Sequence, residues 1–137
     1  MLETTLTINI PPEFWDARYD ASCYPGMADW KGLRSGANCQ QFAYEILRHN
    51  GSNIPDFRSS DLWEDTRYTE VVSEFLPLDL LLFNRTTAPW GAHIALYVGS
   101  GKAIHLAKKI GSPTIWTFDE FSKFPEYKHL IGGKRIK

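Results

Sequence analysis

His93-Ile94-Ala95-Leu96-Tyr97-Val98, then Gly99-Ser100-Gly101, then Lys102-Ala103-Ile104-His105-Leu106-Ala107 is the stretch that decides the fold. Two short apolar runs flank a glycine-bounded tripeptide, which is the pattern of an antiparallel hairpin. A three-residue loop with Gly101 in a bulge sets Val98 opposite Lys102, Ala95 opposite His105 and His93 opposite Ala107. His93 and His105 then lie on one sheet face as diagonal neighbours, roughly 7–8 Å apart by Cα. Ala95, Ala103 and Ala107 share that face and leave room for a helix end, while Ile94, Leu96 and Val98 point the other way into apolar packing. A two-residue turn shifts the pairing by one and sends the histidines to opposite faces.

Outward from the hairpin, Leu78-Asp79-Leu80-Leu81-Leu82-Phe83 reads as a buried strand, Thr114 to Phe118 as a fourth and Leu130 to Ile136 as a fifth. The first half is helical and loop-rich. Asn38 is an N-cap, Phe42, Ala43, Ile46 and Leu47 recur on one helical face, and Gly51 supplies the stop, so a helix is expected from Cys39 to Asn50. A second helix is expected from Asp61 to Ser73, with Asp61 and Glu64 in a capping box, and a short one from Glu13 to Tyr19. Helices first and an antiparallel sheet after make an α+β layout, with the Cys39 helix packed on the sheet.

The chain has 137 residues, which argues for a single domain over 1–137. A formal charge of −1 provides no net field toward nucleic acid or anionic lipid, and neither is an expected partner. No stretch approaches the ~20 apolar residues of a membrane span. Two cysteines, Cys23 and Cys39, are too few for a disulfide scaffold, and no C-x-x-C pair points to structural zinc. The start Met1-Leu2-Glu3-Thr4-Thr5 lacks a basic, apolar leader. The expected location is therefore cytoplasmic, with dedicated export or a trimmed leader as the alternatives. Lys134-Arg135-Ile136-Lys137 reads as a solvated end rather than a binding site.

The chemistry is carried by Cys39. A cysteine in the first helical turn meets the positive end of the helix dipole and unpaired backbone N–H groups. These lower its pKa and can also hold an oxyanion. The plain alternative is a small core residue, and the histidines decide between the two. A thiol nucleophile needs a base, and the base needs a third group to orient it; His93 and His105 suit those tasks. His49, His129 and Cys23 have no such context, and Cys23 reads as structural. Trp30, Trp63 and Trp90 are cleft candidates weighed against ordinary ring packing, and Trp90 stands just before His93. Asp79 and Asp119 are reserve candidates for the orienting role. Two other classes remain: a zinc module using Cys39, His93 and His105, and a catalytically silent binding domain.

Asn38-Cys39-Gln40-Gln41-Phe42-Ala43, Leu76-Pro77-Leu78-Asp79-Leu80-Leu81-Leu82-Phe83 and the hairpin from His93 to His105 together resemble the NlpC-type cysteine peptidases. The resemblance runs over about residues 24–118. It implies a papain-like α+β fold and a Cys39–His93–His105 triad without cofactor or metal. It also implies hydrolysis of an amide in peptidoglycan stem peptides, of the D-glutamyl-diaminopimelyl type. A tyrosine that supports the site in that family matches Tyr24, and Tyr24, Trp90 and Asn38 are the substrate-contact candidates. The sequence departs from the family pattern at Asn38 and Gln40-Gln41, where Asp-Cys-Ser-Gly is usual, and at Leu78, where a glycine is usual. These departures bear on the substrate, so an amidase or acyltransferase acting on another amide is the alternative. Permuted lipid acyltransferases share Asn-Cys-x-x-Phe but place their histidines before the cysteine, unlike this chain. The place of action (wall recycling, phage component or effector) and the oligomeric state are left open.

Overall fold

A computed structural model describes residues 8–137, so the opening of the N-terminal leader reading lies outside the described residues. The elements in chain order are α1 (Cys39–His49), α2 (Ser59–Glu64), β1 (Thr69–Val72), β2 (Leu80–Asn84), β3 (His93–Gly99), β4 (Lys102–Leu106), β5 (Pro113–Thr117), α3 (Phe118–Ser122) and β6 (His129–Ile136). The strands form one antiparallel sheet in the order β1-β6-β2-β3-β4-β5. This is the expected α+β, papain-like arrangement, with the cysteine-bearing helix packed on a small antiparallel sheet.

The helix α1 forms where the spacing places it. Asn38 caps it by accepting the Gln41 N–H at 2.8 Å, and Asn50 and Gly51 (φ 88°) end it. Phe42, Ala43, Ile46 and Leu47 pack with Leu80, Leu82, Ile94, Leu96 and Ile104 on one sheet face. The other face holds a second core of Leu81, Phe83, Ala95, Ala103, Ala107, Trp116, Phe121 and Tyr127. β2 is therefore apolar on both sides and reads as a continuous run. Each of its three fully buried leucines contributes about 1.5–3 kcal/mol. The alanine face thus does not receive the Cys39 helix, as the hairpin reading expected. Its small side chains make room for the aromatic rings carried by β5, α3 and the 3₁₀ turn Pro125–Tyr127.

The hairpin corrects a second expectation while keeping its result. Gly99 faces Lys102 across a two-residue turn in which Ser100 (φ 55°) and Gly101 (φ 72°) both have positive φ. A bulge between Tyr97 and Gly99 absorbs one residue, so Val98 does not face Lys102. Leu96 still faces Ile104 and Tyr97 still faces Ala103, the register that puts both histidines on one face.

Three further expectations change. The chain from Asp65 to Ser73 is not helical. The Asp65 carboxylate accepts the N–H groups of Tyr68 and Thr69 and the Thr69 hydroxyl, ending α2 at Glu64. Thr69, Val71 and Val72, β-branched residues stiff at χ1, then pair with β6 as a strand. The proposed N-terminal helix is a single 3₁₀ turn, Pro12–Asp16. The basic tail is not a solvated end, because β6 lies between β1 and β2. Lys134 is buried and donates to the carbonyls of Trp63 and Asp65, and Arg135 pairs with buried Asp79. Leu78 does adopt a glycine-like conformation. It sits at φ 80° in the turn Leu76-Pro77-Leu78-Asp79, closed by the Asp79 N–H on the Leu76 carbonyl, at a cost of about 1–2 kcal/mol.

Candidate active site

Cys39 is the first residue of α1 and lies at the floor of a cleft of about 610 Å³ that His93 also lines. His93 opens β3, and His105 sits one strand over on β4. His93 Nε2 is 2.9 Å from His105 Nδ1, with the rings at 83° to one another. Nε2 of His93 is thus committed to His105, and Nδ1 is the nitrogen left for the thiol. For Nδ1 to accept a thiol proton it must be bare, so Nε2 carries the hydrogen and donates to His105 Nδ1. The His105 proton is then on its own Nε2, which is buried without a hydrogen-bond partner. The His105 ring lies within an aromatic enclosure, centre to centre 4.4 Å from Trp116 and 4.6 Å from Phe121. A ring face is a weak acceptor for such an N–H. His93 in turn packs on Tyr127, centre to centre 4.6 Å.

The electrostatics differ from the expectation of a resting thiolate. Burial pushes the Cys39 thiol up; the backbone N–H groups of Ile94, Gln40 and Cys39 itself, and then the Arg58 charge, pull it down without reversing that direction. Burial also holds His93 down at about 3, against a smaller upward pull from Glu126. His105 is held down at about 2 by burial and then by the neighbouring His93. Both shifts run toward a neutral thiol and a neutral imidazole in the resting site. The helix start contributes its free N–H groups to the site rather than a standing thiolate.

The other sequence candidates fall as follows. Asn38 lines a second cavity of about 320 Å³ that shares Cys39, Gly91 and Ala92 with the main cleft, and its side-chain oxygen is committed to the helix cap. Trp90 rims that cavity and is 80% exposed, on a loop pinned by Asn84 donating to the carbonyls of Ala88 and Trp90. Trp30 and Trp63 instead pack against the core. Tyr24 lines neither cavity and carries the Arg58 guanidinium over its ring at 5.0 Å. Tyr19, passed over in the sequence, lines the main cleft with Cys39. Asp79 is tied to Arg135 and Leu76, and Asp119 is exposed in α3, so neither orients His93. Cys23 is buried with its Sγ 3.7 Å from the Ser35 carbonyl. Among the described residues no three His, Cys, Asp or Glu side chains are grouped to hold a metal ion, and the two histidines engage each other.

What sequence reasoning missed is the aromatic enclosure of Trp116, Phe121 and Tyr127. One signal was present: Thr117-Phe118-Asp119-Glu120 is a complete capping box, and it starts the helix that delivers Phe121.

Comparison with known proteins gives the family and the fold. The NlpC/P60 family profile matches residues 27–119. Among solved structures the chain is similar to an NlpC/P60 family protein from Bacillus cereus ATCC 10987, at 23% identity and TM-score 0.55 over 73% of this chain and 32% of that one. It is similar to the NlpC/p60 domain of the peptidoglycan hydrolase SagA, at 23% identity and TM-score 0.51 over 80% of this chain and 87% of that one. A lipoprotein-like NLP/P60 family protein from Staphylococcus aureus subsp. aureus Mu50 gives 19% identity and TM-score 0.56 over 98% of this chain and 45% of that one. The chain thus spans less than half the length of two of the three. No curated protein matches the sequence. With the profile covering most of its length, this chain belongs to the NlpC/P60 family, whose members are in general cysteine peptidases.

Proposed function

We propose that the protein is a cysteine peptidase or amidase acting on an amide bond of peptidoglycan stem peptides, of the D-glutamyl-diaminopimelyl type, through a thioester on Cys39. The observation that carries this reading is the alignment of Cys39 at a helix start, His93 in the same cleft, and His105 on the far nitrogen of His93 at 2.9 Å. The SagA likeness supports the choice of substrate class.

The steps follow from the arrangement. The Cys39 sulfur attacks the carbonyl carbon as its proton passes to His93 Nδ1. The N–H groups of Cys39 and Gln40, at the α1 start, face the forming oxyanion. Collapse breaks the C–N bond, and His93 returns the proton to the leaving amine. Water then attacks the thioester as His93 takes its proton; the C–S bond breaks, His93 returns that proton to sulfur, and the carboxylic acid product leaves and ionises in water. His105 accepts from His93 Nε2 throughout, which keeps the productive tautomer and supports the charge that appears on the ring. Neutral resting groups fit this scheme, because charge separates only as the carbonyl is attacked.

Digestion of purified peptidoglycan, read by mass spectrometry of the released fragments, tests the reading. Wild type is expected to generate new free amines at stem-peptide bonds. Fragments from wild type identical to those from boiled protein refute the substrate class.

A further inference from the structure

A base must keep its free nitrogen turned toward the nucleophile, and a hydrogen bond at the far nitrogen does not do this alone. Among the described residues the His93 side chain has one hydrogen-bond partner, His105, at 2.9 Å. About that tie the ring can still tip into the cleft it lines. Tyr127 lies against it, centre to centre 4.6 Å with the rings at 38°. Tyr127 ends the 3₁₀ turn Pro125–Tyr127, a short turn closed by its own N–H on the Phe124 carbonyl. How firmly His93 is held therefore depends on what holds that turn.

Lys109, on the loop between β4 and β5, holds it at two points. Its ammonium pairs with Glu126 Oε2 at 3.0 Å and lies 4.2 Å from the centre of the Phe124 ring. Glu126 is the neighbour of Tyr127, which packs on His93. Phe124 stacks on Trp116 at 4.9 Å, and Trp116 lies 4.4 Å from the His105 ring. One ammonium thus heads two series of packed side chains, one ending on each histidine. The loop that carries it is itself fixed. The N–H groups of Ile110 and Gly111 both donate to the Ala107 carbonyl, and the Gly111 carbonyl accepts the Tyr19 N–H. The ion pair is partly exposed, 37% for Lys109 and 30% for Glu126, so its effect on overall stability is small.

We infer that Lys109 is a positioning residue for the base: by holding Phe124 and Glu126 it keeps the Tyr127 ring against His93, and so keeps His93 aimed at Cys39. The inference rests on the reading of His93 as base and adds a residue outside the triad that acts through it. Without the ammonium the turn loses both ties to the β4–β5 loop, and His93 spends less time in the geometry that takes the thiol proton.

The test needs no natural substrate. Iodoacetamide is small and uncharged; at Cys39 an S–C bond forms, iodide leaves and the thiol proton passes to His93. In a Cys23→Ser parent, Lys109→Met keeps the length of the side chain and removes its charge, and is expected to slow this labelling by about three- to tenfold. Lys109→Arg, which keeps the ion pair and the cation over Phe124, is expected to retain most of the rate. Tyr127→Phe is expected to retain it as well, and Tyr127→Leu to slow it as Lys109→Met does. In a His93→Ala background Lys109→Met is expected to cause no further slowing, whereas a direct effect of the Lys109 charge on the sulfur persists there. Labelling of Lys109→Met within about twofold of the parent, or slowed equally with and without His93, overturns the inference while leaving the base intact. Labelling of Tyr127→Leu at the parental rate does the same. Equal labelling of the parent and His93→Ala overturns the base reading and this inference with it.

Discussion

Replacement of His105 separates an orienting role from a packing role. The ring is 1% exposed, its Nδ1 meets His93 Nε2 at 2.9 Å, and Trp116 and Phe121 enclose it. His105→Ala leaves His93 Nε2 without a partner, at about 1–3 kcal/mol, and opens a hole between two aromatic rings. A combined loss of about 3–5 kcal/mol is expected, within the reach of a domain of ordinary stability. Asparagine places its side-chain oxygen near the position of the imidazole Nδ1, so His105→Asn keeps the acceptor while losing much of the ring. The two variants should therefore lose stability to a similar degree and diverge in catalysis. The expected fall in kcat on peptidoglycan fragments is about 10²–10⁴ for alanine and about tenfold or less for asparagine. Thermal melts monitored by circular dichroism measure the first effect and single-turnover kinetics the second. If the folded alanine variant turns over within about threefold of wild type, or asparagine gives no rescue, the orienting role is refuted.

Stability should also depend on pH in a particular window. Burial holds His93 at about 3 and His105 at about 2, both below 6.5, so under acid the unfolded chain binds protons that the folded chain does not. Stability is therefore complete above pH 6.5 and is lost as pH falls from there toward 3, by up to about 3 kcal/mol per pH unit for the two imidazoles together. Urea melts at pH 7, 6 and 5 should show this slope, and His93→Ala should reduce it by about half; an unchanged midpoint from pH 7 to 5 contradicts it. Asp79→Ala removes a buried carboxylate that accepts from Arg135 Nε at 2.9 Å, Arg135 Nη2 at 2.8 Å and the Leu76 N–H at 2.7 Å. Because the Arg135 side chain is one-third exposed, the expected cost is about 2–4 kcal/mol in a denaturant melt, without effect on Cys39 alkylation.

The legible parts of this protein are those encoded within a few residues. The Asn38 cap, the helical face of α1 and the alternation in the His93–Ala107 hairpin all declare themselves locally, and the histidine pair follows from them. The hairpin reached the correct register through a different turn. A bulge at Val98 compensates for a two-residue loop, and such compensation leaves no mark on the alternation of its neighbours. The segment after Glu64 misled because Asp65 ends the helix through bonds to Tyr68 and Thr69, after which the β6 edge decides the conformation. β6 lies some 60 residues further on, and no local propensity reports its arrival. The same holds for Lys134 and Arg135, whose partners, two backbone carbonyls and the Asp79 carboxylate, lie far back in the chain. At the site, the family resemblance pointed to Tyr24, and the structure adds Tyr19, which bridges to Ala37 just before the nucleophile helix and lines the cleft with Cys39. The thiol pKa was also out of reach, since helix position is local and burial is not.

The most direct test of the central claim is the rate of Cys39 alkylation by iodoacetamide near pH 8 in a Cys23→Ser background, with and without His93. Cys39 at a helix start with His93 as base should label by intact mass as a single adduct, and His93→Ala should slow that labelling by about 10²-fold or more. Equal rates in the two proteins contradict the account, because Cys39 is then an ordinary thiol beside a histidine that does nothing for it.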